Sequence, residues 1–185
     1  SAYKGDARPV EQVSYNAIRG SSLGTAWPTT NTVDAASFMS KLRVKTGMTF
    51  DLPTEAQWEC ACRAGTTTAL NSGNNLTNTT SDTCMAEVGR YANNWSDNKG
   101  GYTVAHTTVG SYIPNSWGLY DMHGNINEWC LDYYQSSFGT TVVTNPVGAA
   151  SGGRVLRGGS WYFYSWYNYG CLITEGSFAN DCRSA

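Results

Sequence analysis

The sequence predicts a loop-rich α+β domain with two main helices, short strands and much irregular chain. Three observations carry that expectation. Two segments combine helical spacing with end signals, one run alternates as a strand does, and the composition holds 20 Gly and 13% aromatic residues but few Leu, Ile and Val. At 185 residues the chain is the size of one domain and long enough to bury a core, so a single unit over 1–185 is expected.

Taking the elements in order, residues 9–18 place Val10, Val13, Tyr15 and Ile18 in a short extended segment entering a turn, and 19–30 is a loop with no usable period. Over 33–45, Thr32 is available as a cap and Asp34 sits in the first turn. Ala35, Phe38, Met39 and Leu42 fall at helical spacing before Gly47, which predicts a helix. A short strand is expected over 49–52. In 53–65, Thr54 and Gln57 form a capping box, Trp58, Ala61 and Cys62 share a face, and Gly65 ends the helix. Residues 66–82 form a polar surface loop, whose two glycosylation-sequon matches at Asn75 and Asn78 carry little weight. After Glu128, the residues Trp129, Leu131 and Tyr133 alternate with Cys130, Asp132 and Tyr134, as in a half-buried strand.

Charge and composition exclude several functions. A net charge of −2, with 12 Lys and Arg spread along the chain, lacks the basic face that phosphate recognition needs. No apolar run approaches the roughly 20 residues of a spanning helix. The chain opens on SAYKGDARPV without a Met, which leaves room for a targeting segment in a longer precursor. Six cysteines, at 60, 62, 84, 130, 171 and 182, follow no metal-ligand spacing, so buried thiols and one or two bridges both stay open.

Candidate sites are few. Glu55 and Glu59 have the spacing of paired carboxylates, but with no second catalytic group nearby, a helix-dipole partner and a buried acceptor are favoured. The cluster of Asn93, Asn94, Asp97 and Asn98 around Trp95 has the oxygen donors of a calcium site, although the same residues build turns, and a turn is favoured. Asp121 and Glu128, in a loop punctuated by Gly118 and Gly124, could converge on one ion with intervening carbonyls. With only His106 and His123 in the chain, structural roles are expected for both.

Four ordered motifs, DLPTEAQWECACRAG (51–65), YANNW (91–95), VGSYIPNSWGLYDMHGNINEW (109–129) and RVLRGGSW (154–161), closely resemble the sulfatase-modifying factor family, whose best-known members are formylglycine-generating enzymes. The resemblance implies a variant of the C-type lectin fold with long loops pinned by aromatic and Gly-rich motifs. It also implies calcium at Asp121 and Glu128 with the carbonyls of Gly124 and Ile126, and a second set from Asn93 and the carbonyl of Asn94. The acidic residue of that second set has no clear counterpart here. An exported or surface-attached protein is implied by the same analogy.

Catalytic members of the family hold copper(I) between two thiolates, third and eighth after the Ser of GGS, and a soft ion needs those soft ligands. Counting from Ser160 reaches Phe163 and Asn168, so both thiols are missing and no copper is expected. Asn127 departs too, standing where the family commonly has Trp. The chain also closes on CRSA, without the usual closing strand.

From Trp161 to Tyr169 the chain instead reads WYFYSWYNY. Rings occupy both parities, and a buried strand of this kind would have to satisfy many Tyr hydroxyls. As a surface it has the composition of a paratope, with Tyr and Trp for area and Ser and Asn for adaptable hydrogen bonds. The expected ligand surface is therefore Tyr162, Phe163, Tyr164, Ser165, Trp166, Tyr167, Asn168 and Tyr169, within an aromatic variable segment over about 161–182. This position and composition also resemble the variable proteins of diversity-generating retroelements. A non-catalytic binding module with a protein ligand is favoured. A copper-dependent oxidoreductase acting on a protein cysteine, and a carbohydrate binder using calcium and ring platforms, are the alternatives.

Overall fold

In the computed structural model, residues 5–94, 105–139, 141–162 and 182–184 are described. Along the chain the elements are α1 (Tyr15–Arg19), a 3-10 turn (Leu23–Thr25), α2 (Phe38–Thr46), α3 (Glu55–Arg63), α4 (Thr83–Val88), β1 (Gly89–Arg90), a second 3-10 turn (Ala92–Asn94), β2 (His123–Gly124), β3 (Glu128–Tyr133) and β4 (Arg154–Arg157). Two compact units emerge. One comprises 1–11, 58–128 and 156–185, and the other 12–57 and 129–155.

In the second unit, α1 replaces part of the extended segment expected over 9–18, because the Ser14 hydroxyl accepts from the Ala17 amide and caps a single short helix. Its last residue, Arg19, is fully buried. The guanidinium forks onto Asp51 through Nε (2.8 Å) and Nη2 (2.9 Å), and Nη1 donates to the Gly24 carbonyl and the Tyr15 hydroxyl. Arg43 donates to the same carboxylate at 2.9 Å and to the Phe50 carbonyl at 2.7 Å. The chain over 49–52 is irregular rather than a strand: Arg19 and Arg43 hold the Asp51 carboxylate and Arg43 also holds the Phe50 carbonyl.

The helix expected over 33–45 begins later, at Phe38. Asp34 does not serve its first turn. Its carboxylate accepts from the amides of Ser22 (2.9 Å) and Gly24 (3.1 Å), and Ser37 caps the helix through Ser40 N. Gly47 closes α2 with φ 71°, the left-handed conformation glycine tolerates. Arg154 of β4 lies over the rings of Tyr133 (3.5 Å) and Tyr15 (4.5 Å), and it donates to the carbonyls of Thr25 and Leu131. Trp129 ties β3 to the start of the unit by donating to the Val13 carbonyl at 2.9 Å.

β3 forms where the alternation predicts a strand, yet its burial is not alternating: Cys130, Leu131 and Asp132 are all buried. The reason lies in Asp132. Its carboxylate accepts from the Glu55 amide (2.7 Å) at the start of α3 and from the Gly148 amide (3.1 Å), so a charged side chain is drawn inside by orphan donors. The capping box at the same helix start is reciprocal, Thr54 N to Gln57 Oε1 at 2.9 Å and Gln57 N to Thr54 Oγ1 at 3.2 Å.

The first unit packs Leu70, Met85, Val88, Tyr91 and Cys182 into one cluster. Each such apolar burial is worth roughly 1.5–3 kcal/mol. Asp82 holds the approach to it, capping α4 at Met85 N and accepting from Thr77 and Asn78. Burial would raise the Asp82 carboxyl, but these donors outweigh it and bring it down to about 2. β1 and β2 pair in parallel, Gly89 opposite His123 and Arg90 opposite Gly124. A Cβ on Gly89 would lie 1.6 Å from the His123 carbonyl oxygen, so only glycine permits this approach.

Candidate functional site

The site grows from Trp58, on the buried face of α3. Its indole Nε1 donates to Glu128 Oε2 at 2.6 Å, and the Arg157 guanidinium lies 5.1 Å above its ring. Arg157 also pairs with Glu59 (3.4 Å), which Arg63 holds at 2.8 Å. Glu59 is therefore a half-buried partner of two guanidinium groups, where the sequence had favoured a helix-dipole partner and a buried acceptor.

The loop from Asp121 to Glu128 is fixed from several sides. Asn115 anchors what precedes it: Nδ2 donates to the carbonyls of Ala61 (2.7 Å) and Cys62 (3.2 Å), and Oδ1 accepts from the amides of Trp117 and Leu119, both at 3.0 Å. Asp121 takes a positive φ of 56° and Asn125 one of 67°, conformations that Asn and Asp adopt more readily than other side chains. His123 is fully buried. Its Nε2 accepts from the Asn71 amide (3.0 Å), so Nδ1 carries the proton and donates to the Cys182 carbonyl (2.6 Å). Burial lowers its pKa, and the ring is a neutral structural link. Cys62, beside it at 3.7 Å, is pushed up to about 12 by burial and is no thiolate.

Asp121 Oδ2 accepts from the Gly110 amide at 2.8 Å, whereas Oδ1 is buried with no hydrogen-bond partner. Burial pushes the Glu128 carboxyl upward, the Trp58 hydrogen bond offsets part of the rise, and the charge of Asp121 adds to it. The two carboxylates thus feel one another. Ile126 and Met122 turn their carbonyl oxygens toward Gly158, each 3.8 Å from where a Cβ would stand there. Among the described residues no group of three or more His, Cys, Asp and Glu that could hold a metal ion is found, and the side-chain oxygens this loop carries are those of Asp121, Asn125, Asn127 and Glu128.

The sets around Asn93 and Asn94 differ. The Asn94 carbonyl accepts from the Arg90 guanidinium, so a positive charge already stands there. Its side chain is committed to Tyr91 N (2.9 Å) and Gly89 O (2.7 Å), while Asn93 Nδ2 donates to Thr80 O at 2.8 Å. Asp97 and Asn98 lie outside the described residues.

The loop passes its register to the ring segment. Gly124 N donates to Gly158 O at 2.6 Å, and Trp161 N donates to Asn125 O at 3.2 Å. Trp161 meets the buried His106 edge-on at 6.3 Å and Tyr162 at 4.9 Å, and Tyr162 is 40% exposed. The other expected ligand-surface residues, Phe163, Tyr164, Ser165, Trp166, Tyr167, Asn168 and Tyr169, lie outside the described residues. Asn115, Asn125 and Trp58 were not singled out as site residues by sequence. Asn125 had a signal, an Asn beside a Gly in a tight turn, whereas Trp58 read only as a helix face.

These features define the formylglycine-generating type of the C-type lectin-like fold: few helices, short strands and loops pinned by rings and glycines. The fold is similar to that of PvdO from Pseudomonas aeruginosa, with a TM-score of 0.55 at 22% identity over 97% of this chain and 56% of that one. Residues 3–184 match the sulfatase-modifying factor enzyme 1-like domain, and the chain belongs to that family.

Among curated relatives, the serine/threonine-protein kinase pkn1 of Chlamydia pneumoniae is 40% identical over 60% of this chain, and the formylglycine-generating enzyme of Mus musculus 34% over 64%. The matched parts make up 16% and 32% of those proteins, so the chain corresponds to under a third of either. A solved structure titled Treponema denticola variable protein 1 is 31% identical over 72% of this chain and 39% of that one, with a TM-score of 0.46. Among the described residues no helix is long and apolar enough to cross a membrane.

Proposed function

We propose that this chain is a non-catalytic binding module that displays the ring-rich segment from Tyr162 to Tyr169 to a protein ligand. The observation that carries the proposal is the register after Ser160: Phe163 and Asn168 occupy the third and eighth positions, where copper-binding members place thiolates. Tyr162, the first residue of the segment, already stands half out of the surface on a base of Trp161 and His106. Large, stiff rings interleaved with Ser and Asn give contact area at low entropy cost. The same position and composition support a segment diversified between otherwise similar copies of the protein.

Calcium has a structural role in this reading. Asp121 and Glu128 would hold it with the carbonyls of Gly124 and Ile126, and the buried, unpartnered Asp121 Oδ1 supports the fit. The ion would neutralise two adjacent carboxylates and fix the loop between them.

Two measurements test the function. Copper(I) titration in the presence of a Cys-containing peptide should give no tight binding and no aldehyde, and formation of formylglycine would refute the non-catalytic reading. A protein array probed with wild type and with a variant carrying Ala at Tyr162, Tyr164, Trp166, Tyr167 and Tyr169 should lose its hits in the variant. Hits that survive the ring removal would place the binding surface elsewhere.

A further inference from the structure

Residues 107–120, TTVGSYIPNSWGLY, include no Asp, Glu, Lys, Arg or His, in a chain that carries 12 basic and 14 acidic side chains. Large apolar side chains nevertheless stand outward there: Trp117 and Ile113 are each 59% exposed, Val109 51%, Tyr120 50% and Leu119 39%. Single exposed apolar residues are ordinary, whereas a contiguous uncharged patch marks an interaction surface. We propose that this face docks a second copy of the chain, forming a two-fold symmetric dimer.

The loop is closed on itself. Gly110 N donates to Asp121 Oδ2 at 2.8 Å, and the Tyr120 ring lies 3.6 Å from where a Cβ on Gly110 would stand, so the two ends of the stretch meet. Between them Asn115 N donates to Leu119 O and Gly118 N to Asn115 O, both at 2.9 Å, while Asn115 Oδ1 accepts from the amides of Trp117 and Leu119. The Ser116 hydroxyl fixes this turn to the end of α3 through the Ala64 carbonyl at 2.7 Å. The apolar side chains are therefore presented from an ordered backbone, and little entropy is lost when they are covered. The amides of Gly110, Asn115, Trp117, Gly118 and Leu119 already have acceptors within the chain, so a dry contact does not leave them unpaired.

Area, charge and shape point to a second copy. From the exposed fractions, the five side chains offer roughly 400–500 Å² of apolar surface. Two such faces bring together roughly 800–1,000 Å², which matches the apolar share of a standard interface of about 1,600 Å². Because 107–120 is uncharged, two identical faces meet without opposing like charges at their centre. The same stretch has no lysine or arginine for an anionic lipid surface. Shape adds self-complementarity: the protruding Trp117 ring stands beside Gly118, where a Cβ would meet nothing within 4 Å. In a two-fold contact the Trp117 ring of each copy lies over the bare Gly118 backbone of the other, both rings flanking the axis.

Sedimentation equilibrium of the whole chain tests the proposal. Wild type should dimerise, and Trp117→Ala should raise the dissociation constant at least about tenfold. Trp117→Lys and Trp117→Glu each set like charges face to face across the axis, so each alone should be monomeric. Mixed in equal amounts, they should dimerise again, a rescue that loss of folding in either variant would not give. A wild type that stays monomeric at about 100 µM would overturn the proposal, whether or not it floats with phosphatidylcholine vesicles. Dimers that persist in Trp117→Lys would place the contact on another face. A mixture of the two charged variants that remains monomeric would overturn the two-fold arrangement.

Discussion

Replacing Asn115 by Ala tests how the pre-site loop is held. In the native fold Asn115 is 5% exposed and makes four side-chain hydrogen bonds, two to the terminal carbonyls of α3 and two from the amides of Trp117 and Leu119. A net bond is worth roughly 0.5–1.5 kcal/mol, and a buried group left unpaired costs about 1–3 kcal/mol. The carbonyls of Ala61 and Cys62 lose buried partners, whereas the Trp117 and Leu119 amides lie in an exposed stretch and can turn to water. The sum is about 2–4 kcal/mol, or roughly 4–16 °C in Tm for a chain of this size.

Urea denaturation followed by tryptophan fluorescence measures it, with the m-value unchanged. A loss below about 1 kcal/mol would refute the argument that this side chain ties the loop to the helix. Asn115→Asp sharpens the test. At neutral pH its carboxylate faces two carbonyl oxygens, which raises the folded pKa above the unfolded value of about 3.9. The variant's deficit relative to wild type should therefore shrink as pH falls through the raised folded value, where the protonated carboxyl can donate.

Four further outcomes follow from the same bonds. His123 should stay neutral with the proton on Nδ1, as read from ring-nitrogen NMR shifts. Because its folded pKa lies below the unfolded value of about 6.5, its contribution to stability is complete above that pH and lost as pH falls below it. Asp82, brought down to about 2, contributes stability that is present above about pH 4 and lost as pH falls toward 2, and Asp82→Asn should flatten that part of the acid denaturation curve. Asp132→Ala removes the carboxylate that accepts from the Glu55 and Gly148 amides and should cost about 1–3 kcal/mol in chemical denaturation, while an effect near zero would mean water replaces the carboxylate. Gly89→Ala sets a methyl against the His123 carbonyl oxygen and should prevent the β1–β2 pairing, seen as loss of slow amide exchange at Asn125, whose N–H reaches Arg90 O only in that register.

Local chemistry was legible in the sequence. The Thr54 and Gln57 capping box, the glycine that ends α2 and the strand after Glu128 all depend on residues within a few positions of one another, and each forms as expected. The motif order was equally legible, and it identified the family from residues that recur at fixed spacing. That Phe163 and Asn168 stand third and eighth after Ser160 is also a matter of counting.

Partners distant in the chain decided the rest. Asp34 has the right residue type for a helix first turn, but the amides of Ser22 and Gly24 capture it and α2 starts four residues later, after Ser37. Asp132 has the parity of an exposed strand position and is buried because an amide 77 residues away needs an acceptor. Glu128 owes its environment to an indole 70 residues away and to Asp121 at the other end of its loop. A sequence states which groups can donate, accept or carry charge, and short spacing tells which of them meet nearby. Which distant group satisfies a buried polar atom, and which atom, like Asp121 Oδ1, is left with none, depends on how the chain closes on itself.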